Sequence, residues 1–117
     1  MGDIKQGDVY WLDFNEPAGR RPCVIIQNDV FNKSRLRTTV VCAITSNLRF
    51  KDAPGNVFLK RGEAKLPKDS IVNITEIDTI DKDFLTEKTG SLSHEKIKKI
   101  LDGIRLLVEP AHIEENE

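Results

Sequence analysis

The apolar positions of this 117-residue chain fall mostly into short stretches with the periodicity of strands. Residues 7–14, "GDVYWLDF", and 21–28, "RPCVIIQN", are rich in β-branched and aromatic side chains, which is typical of strands. Residues 38–45, "TTVVCAIT", are apolar on both faces and predict a central strand. Shorter strands are predicted over residues 56–60 and 70–77, and polar loops with glycine or proline separate these stretches. The chain therefore predicts a sheet of short strands.

Helical spacing appears near the C-terminus, after residues 79–85, which predict a turn with a short helix. Ser93 is a good N-cap, and Glu95 in the first turn suits the helix dipole. The apolar residues that then recur at helical spacing are Ile97, Ile100, Leu101, Ile104, Leu107 and Val108. Because helices usually end before a proline, Pro110 sets the end of a helix over about 94–108. Short strands with one terminal helix indicate an α+β fold, a bent antiparallel sheet or small barrel.

Composition and length predict one ordinary globular domain, with 38% hydrophobic and 32% charged residues. We expect this domain to span residues 1–110 and to be followed by an acidic, flexible tail over 111–117. The chain has no apolar run that could cross a membrane and no hydrophobic leader, so we expect a cytoplasmic protein. Cys23 and Cys42 lie inside apolar runs and are read as buried thiols, although a disulfide between neighbouring strands remains an alternative.

Charge is distributed unevenly along the chain despite a net value of −1. Residues 20–68 carry eleven Lys/Arg and three acids, which gives +8, whereas residues 1–19 carry −3 and residues 69–117 carry −6. A basic middle segment can form a face that attracts phosphate. The alternative is that these charges alternate along solvated loops without forming a patch.

The side chains of common catalytic sites are scarce in this sequence. The only histidines, His94 and His112, fall in the predicted helix cap and the tail, away from any strand end. No glycine-rich phosphate loop and no metal-spaced cluster appears, so we expect neither a cofactor nor a metal. Arginine, threonine and amide side chains suit RNA, whose 2′-hydroxyl supplies the nucleophile and whose phosphate needs orientation and charge stabilisation. The planar fork of arginine pairs with two phosphate oxygens.

Several stretches in a fixed order resemble the MazF/PemK family of bacterial toxin endoribonucleases. They are "GDVYWLDF", "RRPCVIIQND", "TVVCAITSN", "APGNVFL", "LPKDSIVNITEIDTIDKDFL" and the closing amphipathic helix, so the resemblance runs nearly end to end. It implies a small SH3-like antiparallel β-barrel with a C-terminal α-helix and a symmetric homodimer. It also implies metal-independent, sequence-selective cleavage of single-stranded RNA, and a cognate antitoxin that occupies the RNA groove.

The resemblance also assigns two catalytic positions. An arginine before the strand proline and a threonine at the end of the following strand correspond to Arg21 and Thr45. Arg21 is then expected to hold the scissile phosphate, and Thr45 to donate a hydrogen bond to a non-bridging oxygen. Arg20 either assists or only adds positive field. Attack by the 2′-oxygen leaves a 2′,3′-cyclic phosphate and a 5′-hydroxyl.

Two features depart from the family pattern. The loop in "NEPAGRRP" is several residues shorter than usual, which affects substrate contacts and regulation. Glu76 stands where glutamine is common, and it is either a general base for the 2′-hydroxyl or an ion-pair partner of Arg21. The polar residues that we consider as further RNA contacts, with turn capping or solvation at a sheet edge as the alternative, are Gln27, Asn28, Ser46, Asn47 and Asn73. Arg20 and Arg49 are considered as phosphate contacts, and the alternative for Arg49 is an ordinary surface cation.

Two other functions fit the same sequence. A CcdB-like gyrase poison resembles this fold, cuts no RNA and would act through the C-terminal helix. A catalytically weak RNA-binding member would retain the basic segment and lose cleavage through the shortened loop.

Overall fold

The computed structural model describes residues 3–14 and 19–111. In that part of the chain, six strands form one antiparallel sheet in the order β4-β5-β3-β2-β1-β6. The strands are β1 (Asp8–Asp13), β2 (Arg20–Ile25), β3 (Thr38–Thr45), β4 (Val57–Leu59), β5 (Ser70–Asp81) and β6 (Lys88–Ser91). The helices are α1 (Asp29–Asn32) and α2 (His94–Val108), and 3-10 turns lie at Leu48–Phe50, Glu63–Lys65 and Lys82–Phe84. The sheet curls into a half-barrel, which confirms the predicted α+β fold.

Both faces of the sheet carry apolar side chains because successive strand residues point to opposite sides. The first cluster, under α2, contains Val9, Val24, Cys42, Ile44, Val57, Leu59, Leu66, Val72, Ile74, Leu92 and Ile100. The second cluster, on the other face, contains Tyr10, Leu12, Cys23, Ile25 and Val41. Strand β3 contributes to both clusters and lies between β5 and β2, which confirms its predicted central position.

Helix α2 begins as predicted, because the Ser93 side chain accepts a hydrogen bond from the Lys96 amide at 3.2 Å. Ile100 and Gly103 are buried, and Ile97 and Ile104 pack against the first cluster. The apolar residues that the predicted stripe also included, Leu101, Leu107 and Val108, are exposed. Only one side of the helix therefore packs on the sheet. Within the described part of the chain, no helix has the length and apolarity needed to cross a bilayer.

Close backbone contact between Gly103 of α2 and Gly55 brings the helix onto the sheet. A Cβ atom on Gly103 would collide with the carbonyl oxygen of Gly55. Gly55 itself has φ +82°, in the left-handed region that favours glycine. The predicted Pro-Gly turn is thus also the contact point for the helix.

The second half of the sheet differs from the sequence prediction. Strand β5 continues to Asp81, beyond the predicted end at residue 77, and β6 was not predicted. Ile44 lies opposite Val72 whereas Cys42 lies opposite Ile77, so residues 73–76 bulge opposite Ala43. The bulge interrupts the alternation of apolar and polar residues along β5, so the sequence pattern did not predict that the strand continues to Asp81.

The cysteines do not form a disulfide, because the register places them on opposite faces of the sheet. Cys23 lies opposite Ala43, and Cys42 lies opposite Val24. Both are buried free thiols, and burial raises the pKa of each to about 12. The structure therefore agrees with the prediction that Cys23 and Cys42 are small buried residues, and it disagrees with the disulfide alternative.

The prediction of a flexible tail concerns residues 111–117, and all of these except Ala111 lie outside the described residues. The shortened loop that the sequence predicts before Arg21 also lies mostly outside them, because residues 15–18 are not described.

Candidate active site

Arg21 and Thr45 lie at the same end of the sheet on neighbouring strands. Strand β2 pairs with β3 through Cys23↔Ala43, and extending this register by two residues places Arg21 across from Thr45. Both residues line one cleft with a volume of about 320 Å³, together with Arg20, Ser46 and Lys68. The structure therefore brings together the two residues that the resemblance singles out.

Pro22 explains why the sheet opens at this point. Pro22 lies opposite Trp11 in the β1–β2 ladder, whereas the β2–β3 ladder covers only Cys23 to Ile25. A proline has no N–H to donate to a neighbouring strand. The β2–β3 ladder ends at Cys23, and the cleft lined by Arg21 and Thr45 lies where this pairing ends.

The Arg21 guanidinium is held by Glu76. Its Nη1 donates to Oε2 at 3.2 Å and its Nη2 donates to Oε1 at 3.3 Å. The guanidinium also lies 5.9 Å from the centre of the Phe14 ring, and the Arg21 side chain is 23% exposed. Both terminal nitrogens of the arginine thus face a carboxylate.

Asn73 fixes that carboxylate from behind. Its Nδ2 donates to Glu76 Oε1 at 2.7 Å, and its Oδ1 accepts from the Thr75 hydroxyl at 3.2 Å. The hydrogen bonds from Arg21 lower the pKa of Glu76 against the opposing effect of partial burial, and Asn73 lowers it further. Glu76 is therefore an ionised partner of Arg21. The β5 bulge contains Asn73, Thr75 and Glu76 and places them beside Arg21.

Arg20 has a carboxylate partner of its own. It forms a two-point ion pair with Glu87, in which Nη1 donates to Oε1 at 2.8 Å and Nη2 donates to Oε2. Its guanidinium also lies 5.2 Å from the centre of the Trp11 ring. The side chain is 47% exposed, so Arg20 lies at the rim of the cleft.

Thr45 has its hydroxyl proton available. Its Oγ1 accepts from the Asn47 amide at 3.1 Å, and its O–H has no acceptor among residues 3–14 and 19–111, so it can donate to a ligand. Asn47 in turn accepts from the Arg49 amide at 3.2 Å and caps the 3-10 turn Leu48–Phe50. Ser46, which follows Thr45 in the chain, also lines the cleft. Asn47 and Arg49 thus shape the loop beside the cleft, and neither lines it.

Gln27 and Asn28 lie at the opposite end of β2. Gln27 Nε2 donates to Asn32 Oδ1 at 2.9 Å, and Asn28 Oδ1 accepts from the Val30 amide at 2.8 Å, which caps α1. These contacts match the turn-capping alternative. The structure does not bring either residue to the cleft that contains Arg21 and Thr45.

Two residues at this site were missed by the sequence prediction. Lys68 lines the cleft from the loop before β5, and its only signal is its place in the stretch "LPKDS". Glu87 gives no sequence signal, because its pairing with Arg20 depends on the unpredicted approach of β6 to β1. Among residues 3–14 and 19–111, no three potential metal ligands of the His, Cys, Asp or Glu type lie together.

Comparison with known proteins identifies the family. The family model described as "PemK-like, MazF-like toxin of type II toxin-antitoxin system" matches residues 5–108. Endoribonuclease MazF6 of Mycobacterium tuberculosis is 38% identical over 111 residues, which cover 91% of this chain and 97% of the relative. Endoribonuclease MazF of Staphylococcus saprophyticus is 39% identical over 106 residues, with 86% and 88% covered.

Solved structures agree on the fold. An endoribonuclease in complex with its cognate antitoxin, from a mycobacterial species, superimposes with a TM-score of 0.78 at 24% identity, covering 93% of this chain and 99% of that one. A MazE–MazF complex of Deinococcus radiodurans gives a TM-score of 0.74 at 18% identity, with 94% and 100% covered. At these identities the likeness concerns the fold alone.

The family match spans most of the chain, and the curated relatives share more than a third of their residues with it. These relatives carry the name of a nuclease, so the gyrase-poison alternative is not favoured. The chain belongs to the PemK-like, MazF-like toxin family of type II toxin–antitoxin systems, and it is a MazF-type toxin whose curated relatives are endoribonucleases.

Proposed function

We propose that this toxin cleaves single-stranded RNA by attack of the 2′-hydroxyl on the adjacent phosphate, without a metal ion. The observation that carries the proposal is the position of Arg21 and Thr45 in one cleft with further cationic side chains. The names of the curated relatives support the reaction class, because they are endoribonucleases.

In this mechanism the protein orients the substrate and stabilises charge. The Arg21 fork binds two oxygens of the scissile phosphate, where negative charge develops in the transition state. The free O–H of Thr45 donates to a non-bridging oxygen of the same phosphate. The 2′-oxygen forms a bond to phosphorus while the bond to the 5′-oxygen breaks. The 2′-hydroxyl gives its proton to water and the departing 5′-oxygen takes one from water, which yields a 2′,3′-cyclic phosphate and a 5′-hydroxyl.

Glu76 is assigned as the partner that positions Arg21, in preference to the general base. The two hydrogen bonds between them and the lowered pKa of Glu76 support this choice. A carboxylate with a depressed pKa is a weak proton acceptor, since the best base has a pKa near the working pH.

We also propose the partners, the oligomeric state and the cellular location of the toxin. Structures of related fold include complexes with a cognate antitoxin, which supports an antitoxin as partner for this chain. We propose that the antitoxin covers the cleft, that two copies form a symmetric homodimer with their basic segments along one groove, and that the toxin acts on mRNA in the cytoplasm.

The test maps cleavage ends on a long RNA of defined sequence after exhaustive EDTA treatment. We expect discrete cuts with 5′-hydroxyl ends, and a loss of rate on the order of 10²–10³ for Arg21→Ala. Arg105→Ala, an exposed arginine on α2, is the matched control and should cut like the parent.

Cleavage of an all-2′-deoxy substrate, or a requirement for added magnesium, would contradict the mechanism. RNA binding without any cleavage would instead assign the chain as an RNA-binding member of the family that has lost catalysis.

A further inference from the structure

The turn that leads into the cleft has an unusual backbone. Ala64 (φ 50°) and Lys65 (φ 60°) are the described non-glycine residues in the left-handed region, and they are consecutive. A residue with a Cβ seldom adopts this conformation, and such outliers concentrate at functional sites. The turn therefore has to be held in place by its surroundings.

Contacts from several directions hold it. The amide of Gly62 donates to Leu66 O at 2.9 Å, and the Thr89 hydroxyl donates to Ala64 O at 3.2 Å. Gly90 of β6 lies directly against the turn, because a Cβ there would be 2.6 Å from Ala64 O. The absence of a side chain at Gly90 thus allows the left-handed turn to pack against β6.

A second set of contacts ties the turn to β4 and α2. Glu63 Oε2 accepts from the Lys60 amide at 2.7 Å and from Lys96 Nζ at 3.2 Å. Lys96 Nζ also donates to Phe58 O at 2.7 Å. The turn is consequently fixed to three elements of the fold.

The fixed turn delivers Lys68 to the cleft. Leu66 is buried in the first cluster, and Pro67 and Lys68 follow it along the cleft wall. Beyond Lys68, the Ser70 hydroxyl donates to the Lys68 carbonyl at 2.9 Å, and Asp69 Oδ1 accepts from the Arg61 amide at 2.7 Å. The backbone on both sides of Lys68 is anchored, while its side chain is exposed.

The cleft cations differ in what they contact. Arg20 and Arg21 each present their terminal nitrogens to a carboxylate. Lys68 forms no ion pair with any carboxylate in residues 3–14 and 19–111. Its ammonium group therefore meets an incoming phosphate without displacing a protein anion.

We propose that Lys68 is a further phosphate-binding residue of this cleft, and that the left-handed turn with Gly90 positions it. Lys68 binds a backbone phosphate next to the scissile one. It contributes to the affinity for RNA, whereas Arg21 contributes to the chemical step. The inference rests on the proposed function, because it assigns RNA as the ligand of the cleft.

The test measures binding on an all-2′-deoxy version of an RNA that the toxin cuts, so that no cleavage interferes. We expect Lys68→Gln to weaken binding several-fold at low salt and to reduce the slope of log K against log[salt] by about 0.7. On the cleavable RNA, Lys68→Gln should raise KM several-fold and leave kcat within about twofold of the parent. This pattern is expected when the lost contact stabilises the bound substrate and the transition state equally.

Lys60→Gln is the control, because Lys60 is an exposed lysine of the same loop outside the cleft. It should leave both the affinity and the salt slope unchanged. Equal effects of the Lys60 and Lys68 substitutions, or no change in slope for Lys68→Gln, would overturn the proposal.

A second variant tests the positioning. Gly90→Ala should displace the Ala64 carbonyl and weaken RNA binding, and combining it with Lys68→Gln should give less than the sum of the two effects. Full additivity in a folded double variant would contradict a role for the turn in placing Lys68. If Gly90→Ala does not fold, Thr89→Val, which removes the hydrogen bond to Ala64 O, replaces it in the double variant and is judged by the same additivity.

Failure of this inference is distinguishable from failure of the proposed function. A parent protein that binds the deoxy strand through Lys68 and cuts no RNA overturns the proposed function only. A parent that cuts RNA and is indifferent to Lys68 overturns this inference only, and a parent that neither binds nor cuts overturns both.

Discussion

Arg21 and Glu76 form a two-point ion pair, with Nη1–Oε2 at 3.2 Å and Nη2–Oε1 at 3.3 Å. A phosphate uses the same fork of the guanidinium. In the proposed mechanism, the scissile phosphate must therefore compete with the Glu76 carboxylate for this fork. The 44% exposure of the Glu76 side chain means that solvent screens this pair, so the competition is modest.

Replacement of Glu76 by Gln should tighten RNA binding while cleavage continues. The amide keeps the shape and removes a negative charge from the phosphate site. An exposed ion pair is worth about 0.2–1 kcal/mol, so we expect a gain in affinity of up to about fivefold. Fluorescence anisotropy with an all-2′-deoxy strand measures the affinity, and single-turnover cleavage of the RNA measures the rate.

Asp52→Asn serves as the control for Glu76→Gln, because it removes the same charge from an exposed loop outside the cleft. A fall in single-turnover rate by two orders of magnitude, with affinity unchanged, would assign Glu76 as the general base.

The Arg21–Glu76 pair should also make stability depend on pH. The pKa of Glu76 is lower in the folded chain, because of its hydrogen bonds with Arg21, than the usual value of about 4.3. A depressed folded pKa stabilises the fold above the unfolded pKa, and this stabilisation is lost as the pH falls through the folded pKa. Urea unfolding of the parent and Glu76→Gln should therefore differ by at most about 1 kcal/mol at pH 7, and the difference should shrink as the pH falls through the folded pKa of Glu76. A difference that grows on acidification would contradict this assignment.

The hydroxyl of Thr45 should matter more than its shape. Thr45→Val keeps the size and removes the donor, and we expect a fall in kcat of about a hundredfold if the O–H stabilises phosphoryl charge. Thr45→Ser keeps the donor and should retain most of the rate. Equal activity of the valine and serine variants would leave Thr45 a strand-end residue with a capping role, since its Oγ1 accepts from the Asn47 amide.

The cysteines should resist labelling in the native protein. Both Cys23 and Cys42 are fully buried, and burial raises the pKa of each to about 12, so neither is a thiolate near neutral pH. A thiol reagent at pH 8 should react slowly with the folded chain and rapidly with both thiols in guanidinium, with no reductant needed. Loss of reactive thiols in the denatured chain would indicate the disulfide that the sheet register forbids.

Gly103→Ala should destabilise the fold even though alanine favours helices. Alanine gains about 1 kcal/mol of helix propensity over glycine, but its Cβ would collide with the Gly55 carbonyl. We expect a net loss of about 1–2 kcal/mol in unfolding free energy, within the range for overpacked sites. Lys99→Ala, at an exposed position of the same helix, should stay within about 0.5 kcal/mol of the parent. Stabilisation by Gly103→Ala would show that the helix can move away from the sheet.

The parts of the fold that the sequence predicts are those where local pattern and tertiary structure agree. Strand β3 is apolar on both faces and becomes central, and Ser93 caps α2 as its position indicates. Strand β6, "KTGS", has no apolar pattern, because it is held by pairing with β1 and by the space that Gly90 leaves for Ala64. The position of such a strand depends on contacts with residues distant in the chain, and the local sequence pattern does not predict these contacts.

The candidate site shows the same division. Arg21 and Thr45 could be picked from the sequence through the family resemblance, and their juxtaposition follows from the register of neighbouring strands. The position of Lys68 in the cleft could not, because it follows a left-handed turn of non-glycine residues. Gln27 and Asn28 were plausible by residue type, yet local capping bonds engage them at the far end of β2.

The bulge in β5 separates the chemistry of the site from the packing of the sheet. Ile74 anchors it, because the side chain is buried and the amide donates to Asn56 Oδ1 at 3.0 Å. The remaining residues, Asn73, Thr75 and Glu76, are outside the regular ladder on either side. Mutations at these positions can alter the electrostatic environment of Arg21 while leaving the paired segments intact. The bulge accordingly lets the surroundings of Arg21 vary independently of the strand pairing that builds the sheet.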